Sequence, residues 1–230
     1  GPFNGTNEKL FIIKFKDDGE DNMKFYLSSF KIGNEGLKLK EITKNGNKKV
    51  AYINNAVDFA TDLERRNKSD ATDISDLERL GFAVDILDLK QYFHNTDELE
   101  EKLDHYDVIW VRGGNSFVLR QAMKLSGFDE IVKGYFTNDK DILYGGYSAG
   151  ICNLGTTLKG IHLADDPYQN PYGERYETIW EGLNILDYAL VPHYKSDHKE
   201  SKDIDRTITY MIDNKIPFKA LRDGEVIIIE

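Results

Sequence analysis

The chain has 230 residues, with 30 Lys and Arg against 40 Asp and Glu and a formal net charge of -10. That balance argues against a phosphate-backbone partner, which needs a basic stripe, so neither nucleic acid nor an anionic membrane is expected as a partner. The length suits one α/β domain with a substantial core. A single cysteine excludes an internal disulfide and points to a reducing, cytoplasmic setting.

In chain order, residues 1–22 differ in character from the remainder of the sequence. Gly1-Pro2 resembles a tag-cleavage scar and Met23-Lys24-Phe25 a natural start, so 1–22 are set aside as a leader and 23–230 are read as a single domain. Leu10-Phe11-Ile12-Ile13 still has the character of an edge strand. From Met23 onward, short apolar runs predict strands at 25–27, 50–53, 84–87, 108–111, 142–144 and 189–191. Between them, Ile74, Leu77 and Leu80 recur at helical spacing and Gly81 closes that helix. Asn95 with Glu98 resembles a capping box ahead of Leu99 and Leu103, and 117–125 and 204–212 supply further amphipathic helices. Tyr168, Tyr172, Tyr176 and Trp180 are spaced like a helical stripe, and Arg222-Asp223-Gly224-Glu225 reads as the turn of a terminal hairpin. Runs this apolar, buried on both faces and alternating with helices, predict a three-layer, doubly wound, mostly parallel sheet of flavodoxin-like type. The longest of them, such as Val226–Ile229, are too short to cross a bilayer.

In such a sheet, functional groups gather beyond the carboxyl ends of the strands. Two glycine-rich turns are placed there. In Gly145-Gly146-Tyr147-Ser148-Ala149-Gly150, a serine sits at a strand-to-helix turn whose small neighbours let it close, so Ser148 is the candidate nucleophile. Arg112-Gly113-Gly114-Asn115-Ser116 comes directly after the 108–111 strand. A serine hydroxyl needs a base and a pair of donors for the developing oxyanion. Gly114 and Ala149 can provide those donors through their backbone N–H groups, with Gly113 and Asn115 beside the substrate. His193, in Pro192-His193-Tyr194 at the end of the 189–191 strand, is the best-placed base; His198 and His162 are alternatives, and His94 and His105 read as surface residues. Asp165-Asp166-Pro167 lies between serine and histidine and offers the orienting carboxylate, with Glu174, Glu177 and Asp187 as substitutes.

The segments 109–117, 146–150, 165–167 and 191–194 together resemble peptidase family S51, which includes alpha-aspartyl dipeptidase and cyanophycinase and has a fold similar to class I glutamine amidotransferases. The resemblance runs from about Met23 to the end of the sequence. It implies a cofactor-free serine hydrolase acting on small peptides, with Ser148 as nucleophile, His193 as base and Asp165, or alternatively Asp166, as third member. Tyr168, in the loop after the acid, is expected near the pocket. One departure stands out. Where aspartyl dipeptidases carry an arginine-bearing segment for the substrate carboxylate, this chain has Glu200-Ser201-Lys202-Asp203-Ile204-Asp205-Arg206, leaving Arg206 or Lys202 as the substitute. Two rival readings share the elbow: a glutamine amidotransferase-like enzyme or non-hydrolytic binding module on the same fold, and an α/β-hydrolase esterase. The oligomeric state is left open, a homo-oligomer included.

Overall fold

The fold is built around strand segments too apolar to face water on either side. The structure, a computed structural model, describes residues 11–12, 22–173 and 176–230. Its strands are β1 (Phe11–Ile12), β2 (Lys24–Ser28), β3 (Lys49–Ile53), β4 (Ala83–Ile86), β5 (Val108–Val111), β6 (Leu143–Tyr147), β7 (Ala189–Val191), β8 (Phe218–Ala220) and β9 (Val226–Ile229). The helices are α1 (Gly36–Ile42), α2 (Leu63–Arg79), α3 (Thr96–Leu103), α4 (Ser116–Ser126), α5 (Phe128–Thr137), α6 (Ala149–Cys152) and α7 (Ser201–Asp213).

Seven strands form one sheet in the order β1-β9-β2-β6-β5-β3-β4. The pairs from β2 to β4 are all parallel, and β9 enters antiparallel to β2. Side chains alternate between the two faces as the pleat requires. Phe25, Leu27, Ala51, Ile53, Ile109 and Val111 share one core cluster with Leu99 and Leu103 of α3, Leu119 of α4 and Val132 of α5. Their neighbours Tyr26, Val50, Tyr52, Val108 and Trp110 share the other with Leu39 of α1 and Leu77 of α2. Helices on both faces of a mostly parallel sheet are the expected three-layer arrangement.

The strand at 189–191 does form, but outside this sheet. β7 pairs in parallel with β8 in a separate two-stranded sheet, packed with α7 through Val191, Ile204 and Met211. For the same reason 222–225 does not turn a hairpin: β8 belongs to the small sheet and β9 to the large one. Asn95 precedes α3, yet its side chain bonds the Glu98 carboxylate rather than a backbone N–H, so the capping box is not made. The 168–180 aromatics lie in no helix among the described residues. Phe11–Ile12 pairs with β9 as an edge strand, while the rest of the 1–21 segment lies outside the described residues.

The turn after β6 has no spare volume. A Cβ on Gly150 would lie 2.1 Å from the Val111 carbonyl oxygen, a backbone atom that cannot rotate away. Gly150→Ala should therefore destabilise the fold: overpacking at the upper end of its usual cost, about 3 kcal/mol, outweighs a helix-propensity gain of about 1 kcal/mol. A lowered urea midpoint at unchanged m-value is the expected reading, and an unchanged midpoint would contradict the packing argument.

Candidate active site

Strands β2 to β6 of the large sheet end on one side, and the two glycine turns meet there. β6 runs directly into Ser148, whose backbone stands at φ 53°, ψ -114° before α6 begins at Ala149. This is a strained conformation for a residue with a Cβ, of the kind that lifts a nucleophile clear of its strand. The turn after β5 lies against it, since a Cβ on Gly113 would come within 2.9 Å of Ser148 Cβ. Gly114 comes next at φ 153°, where a Cβ would meet the Ala56 carbonyl oxygen at 2.4 Å. Asn115 then caps α4, its Oδ1 accepting the Phe117 and Val118 N–H groups at 2.8 and 3.2 Å.

Arg112 sets the orientation of this turn. Its Nε donates to the Gly113 carbonyl at 2.9 Å while its Nη1 donates to Asp70 at 2.9 Å. Because a trans peptide points its C=O and N–H in opposite directions, the Gly114 N–H is turned away from Arg112. Asp70 and Asp73, on α2, are buried and joined through Tyr52, and the Tyr147 hydroxyl donates to Asp73 at 2.6 Å. The residues flanking Ser148 and Gly113 are thus fixed from behind by one buried polar network.

His193 arrives from the small sheet. It stands at φ 65° after β7, buried, with its N–H bonded to Ser29 Oγ at 2.9 Å. Its Nε2 lies 3.0 Å from Ser148 Oγ and its Nδ1 lies 2.8 Å from Asp223 Oδ1. Asp223 is held in turn: it accepts the Ser29 hydroxyl at 2.8 Å, and its own N–H donates to Ser196 Oγ at 2.8 Å. Hydroxyl, imidazole and carboxylate form one continuous chain.

The carboxylate in that chain is not Asp165. The Asp165 carboxylate turns inward to accept the Ser116 N–H at 2.9 Å at the start of α4, and burial pushes its pKa up to about 6. Asp166 is exposed and bonds the Tyr168 N–H. Glu177 and Asp187 are exposed, and Glu174 lies outside the described residues. Asp223 escaped the sequence reading because Arg222-Asp223-Gly224 has the composition of a solvent turn. The available signal was its position just after a short strand, since Val191 and Tyr194 bond the Leu221 backbone and so bring the ends of β7 and β8 together.

Ser148 and His193 line a cleft of about 690 Å³ that also includes Phe30, Gly113, Gly114, Asn115, Asp165 and Asp166, while Asp223 lies behind the imidazole and outside the lining. Ala149 follows Ser148 as the first residue of α6, buried and outside the cleft lining. The cleft does not include Tyr168, which is 76% exposed, or Arg206, whose exposed side chain faces Asp203 at 3.9 Å. Lys202 is likewise exposed and off the cleft. His162 is packed between Trp180 and Tyr210. His198 does reach the cleft, stacked on His193, and Glu200 beside it is pushed up to about 7 by burial and by the Asp165 charge. Cys152 is buried, and burial raises its thiol pKa.

Burial also disfavours the imidazolium of His193 and lowers its pKa below the ordinary 6.5, with Asp223 opposing that shift. If this ring is the working base, kcat/KM on an uncharged substrate reports its pKa in the free protein. The expected acid limb has its midpoint below the ordinary imidazole value of about 6.5. A midpoint above that value would contradict it.

An α/β sheet with a serine at a strand-to-helix elbow, backed by imidazole and carboxylate, has the layout that serine hydrolases use. Residues 33–230 match peptidase family S51, and the chain belongs to that family. It is 32% identical over 120 residues to an uncharacterized peptidase of Listeria innocua, covering 52% of this chain and 54% of that protein, so it matches about half the relative's length. With a probable alpha-aspartyl dipeptidase of Drosophila melanogaster it shares 28% identity over 192 residues, 81% of this chain and 71% of that one. The 1.5 Å crystal structure of a protein from Listeria monocytogenes EGD-e named for peptidase E superposes with a TM-score of 0.66 at 24% identity, covering 90% of this chain and 98% of its own, a likeness of fold. No helix among the described residues is long and apolar enough to cross a membrane.

Proposed function

We propose that the chain is a serine peptidase that hydrolyses short peptides through an acyl-enzyme, with Ser148 as nucleophile, His193 as general base and Asp223 orienting the imidazole. The observation that carries this reading is the continuous Ser148–His193–Asp223 chain, at 3.0 and 2.8 Å. His193 Nε2 takes the hydroxyl proton as Ser148 Oγ attacks the peptide carbonyl, and the resulting imidazolium gives a proton to the leaving amine. Water then attacks the ester with the same base assisting. The N–H groups of Gly114 and Ala149 stabilise the oxyanion, a contribution of about 3 kcal/mol per donor in comparable sites.

The cleft favours a small zwitterionic substrate, because cations (Lys31, Arg65, Lys199) and carboxylates (Asp62, Asp166, Glu200) both line it. With Arg206 and Lys202 off the cleft, no strict aspartyl preference is proposed. An amidotransferase reading would need a thiol at the elbow, and Cys152 is buried behind it. An active-site-directed fluorophosphonate provides the test: it should label the folded protein at Ser148, and a panel of dipeptides should be cleaved faster than short esters of the same side chains. Folded protein that neither labels nor cleaves any dipeptide would sink the proposal.

A further inference from the structure

We infer that His193, His198 and Glu200 form a divalent-metal site, suited to Zn²⁺, through which the ion switches off the Ser148 centre. One ligating atom from each of the three lies within 4.8 Å of the other two. The His198 ring stacks on the His193 ring with centroids 3.7 Å apart and an interplanar angle of 8°. Phe30 packs edge-on to both rings at 5.8 and 5.2 Å and holds them side by side. Glu200 Oε2 completes the set, 3.8 Å from His193 Nε2.

Two imidazoles and one carboxylate are a ligand set that zinc accepts while keeping a further position open, and imidazole donors favour zinc over calcium or magnesium. Asp223 strengthens the case. A carboxylate on the far nitrogen of a ligating histidine is the usual outer partner, because it fixes the tautomer and presents the other nitrogen's lone pair to the ion. His193 Nδ1 has that partner at 2.8 Å. The ligands are reachable, since His193, His198 and Glu200 all line the cleft. Around Glu200 the carboxylates of Asp165, Asp203 and Asp223 outnumber the one opposing cation, Lys199. The lone pairs of two parallel rings do not meet as they stand, so binding turns His198 out of the stack, and it gives up the Ser148–His193 bond and, where His198 uses Nδ1, a 3.2 Å bond from the Glu200 N–H.

The inhibitory half rests on the proposed peptidase reading; the site itself does not. A dative bond from Nε2 to Zn²⁺ occupies the electron pair that would accept the Ser148 proton. The hydroxyl then stays protonated, and nothing is oxidised or reduced.

The test uses the whole chain, freed of metal and titrated with Zn²⁺ by calorimetry, with Co²⁺ absorption as a second probe of the ligand set. Wild type, His198→Ala and Glu200→Gln are compared after circular dichroism shows each to be folded. One ion per chain is expected, weakened by at least about tenfold in either variant, the low end of what losing even an outer-shell partner costs. Fluorophosphonate labelling of wild type should slow by at least about tenfold with Zn²⁺ present, given the same loss of a free base, and each variant, read against its own metal-free rate, should lose that slowing. Failure to bind one ion, or wild-type affinity in either variant, overturns the site. Tight binding that leaves labelling unslowed overturns the inhibition. If the metal-free protein does not label at all, the peptidase reading fails, and the titrations alone still decide the site.

Discussion

Ser148→Gly should lose peptidase activity by about 10⁶-fold, as removal of a triad nucleophile does elsewhere, and should still be more stable than Ser148→Ala. Both variants remove the hydroxyl and its bond to His193, so the comparison isolates the backbone. At φ 53°, ψ -114° a side-chain-bearing residue stores strain, of order 1–3 kcal/mol. Glycine releases that strain, while its greater freedom in the unfolded chain costs about 0.5–1 kcal/mol. The net advantage over alanine is about 1 kcal/mol, to be read as a difference in urea midpoint. An alanine variant at least as stable as the glycine one would show that the turn is relaxed, and activity persisting in either would remove Ser148 from the chemistry.

Asp223→Asn should lower kcat by about 10⁴-fold, the loss produced when asparagine reverses the tautomer of a triad histidine. Asp223 Oδ1 now receives two protons, from the Ser29 hydroxyl and from His193 Nδ1. An amide nitrogen in that place would donate toward Nδ1, move the ring proton to Nε2 and leave no lone pair for Ser148. Asp165→Asn is the control. Its carboxylate accepts the Ser116 N–H, which an amide oxygen accepts equally well, so kcat should stay within about tenfold of wild type. Steady-state kinetics on a cleaved dipeptide decide between the two: a severe loss in Asp165→Asn with a mild one in Asp223→Asn would return the orienting role to Asp165.

The contrast between these carboxylates shows what was legible in the sequence. Strands were readable because burial on two faces demands uninterrupted apolar runs, and 25–27, 50–53 and 108–111 have them. Ser148 was readable because only a local turn chemistry places a residue there, and Gly146 and Gly150 supply it. The pairing of β7 was not, because three apolar residues carry no information about which partner they bond. Asp223 failed for the same reason: its place beside His193 depends on β8 lying beside β7, a contact between distant segments. The buried acids Asp70 and Asp73 were hidden in the charged face of α2, where nothing local distinguishes a paired carboxylate from a solvated one.

The position of Asp223 between β8 and β9 also ties the cleft to two separate sheets. Upstream of it lies the small sheet, whose β7 leads into His193, and downstream β9 enters antiparallel beside β2 in the large one. Any slip of one sheet against the other is therefore carried through this short connection to the carboxylate that faces the imidazole ring.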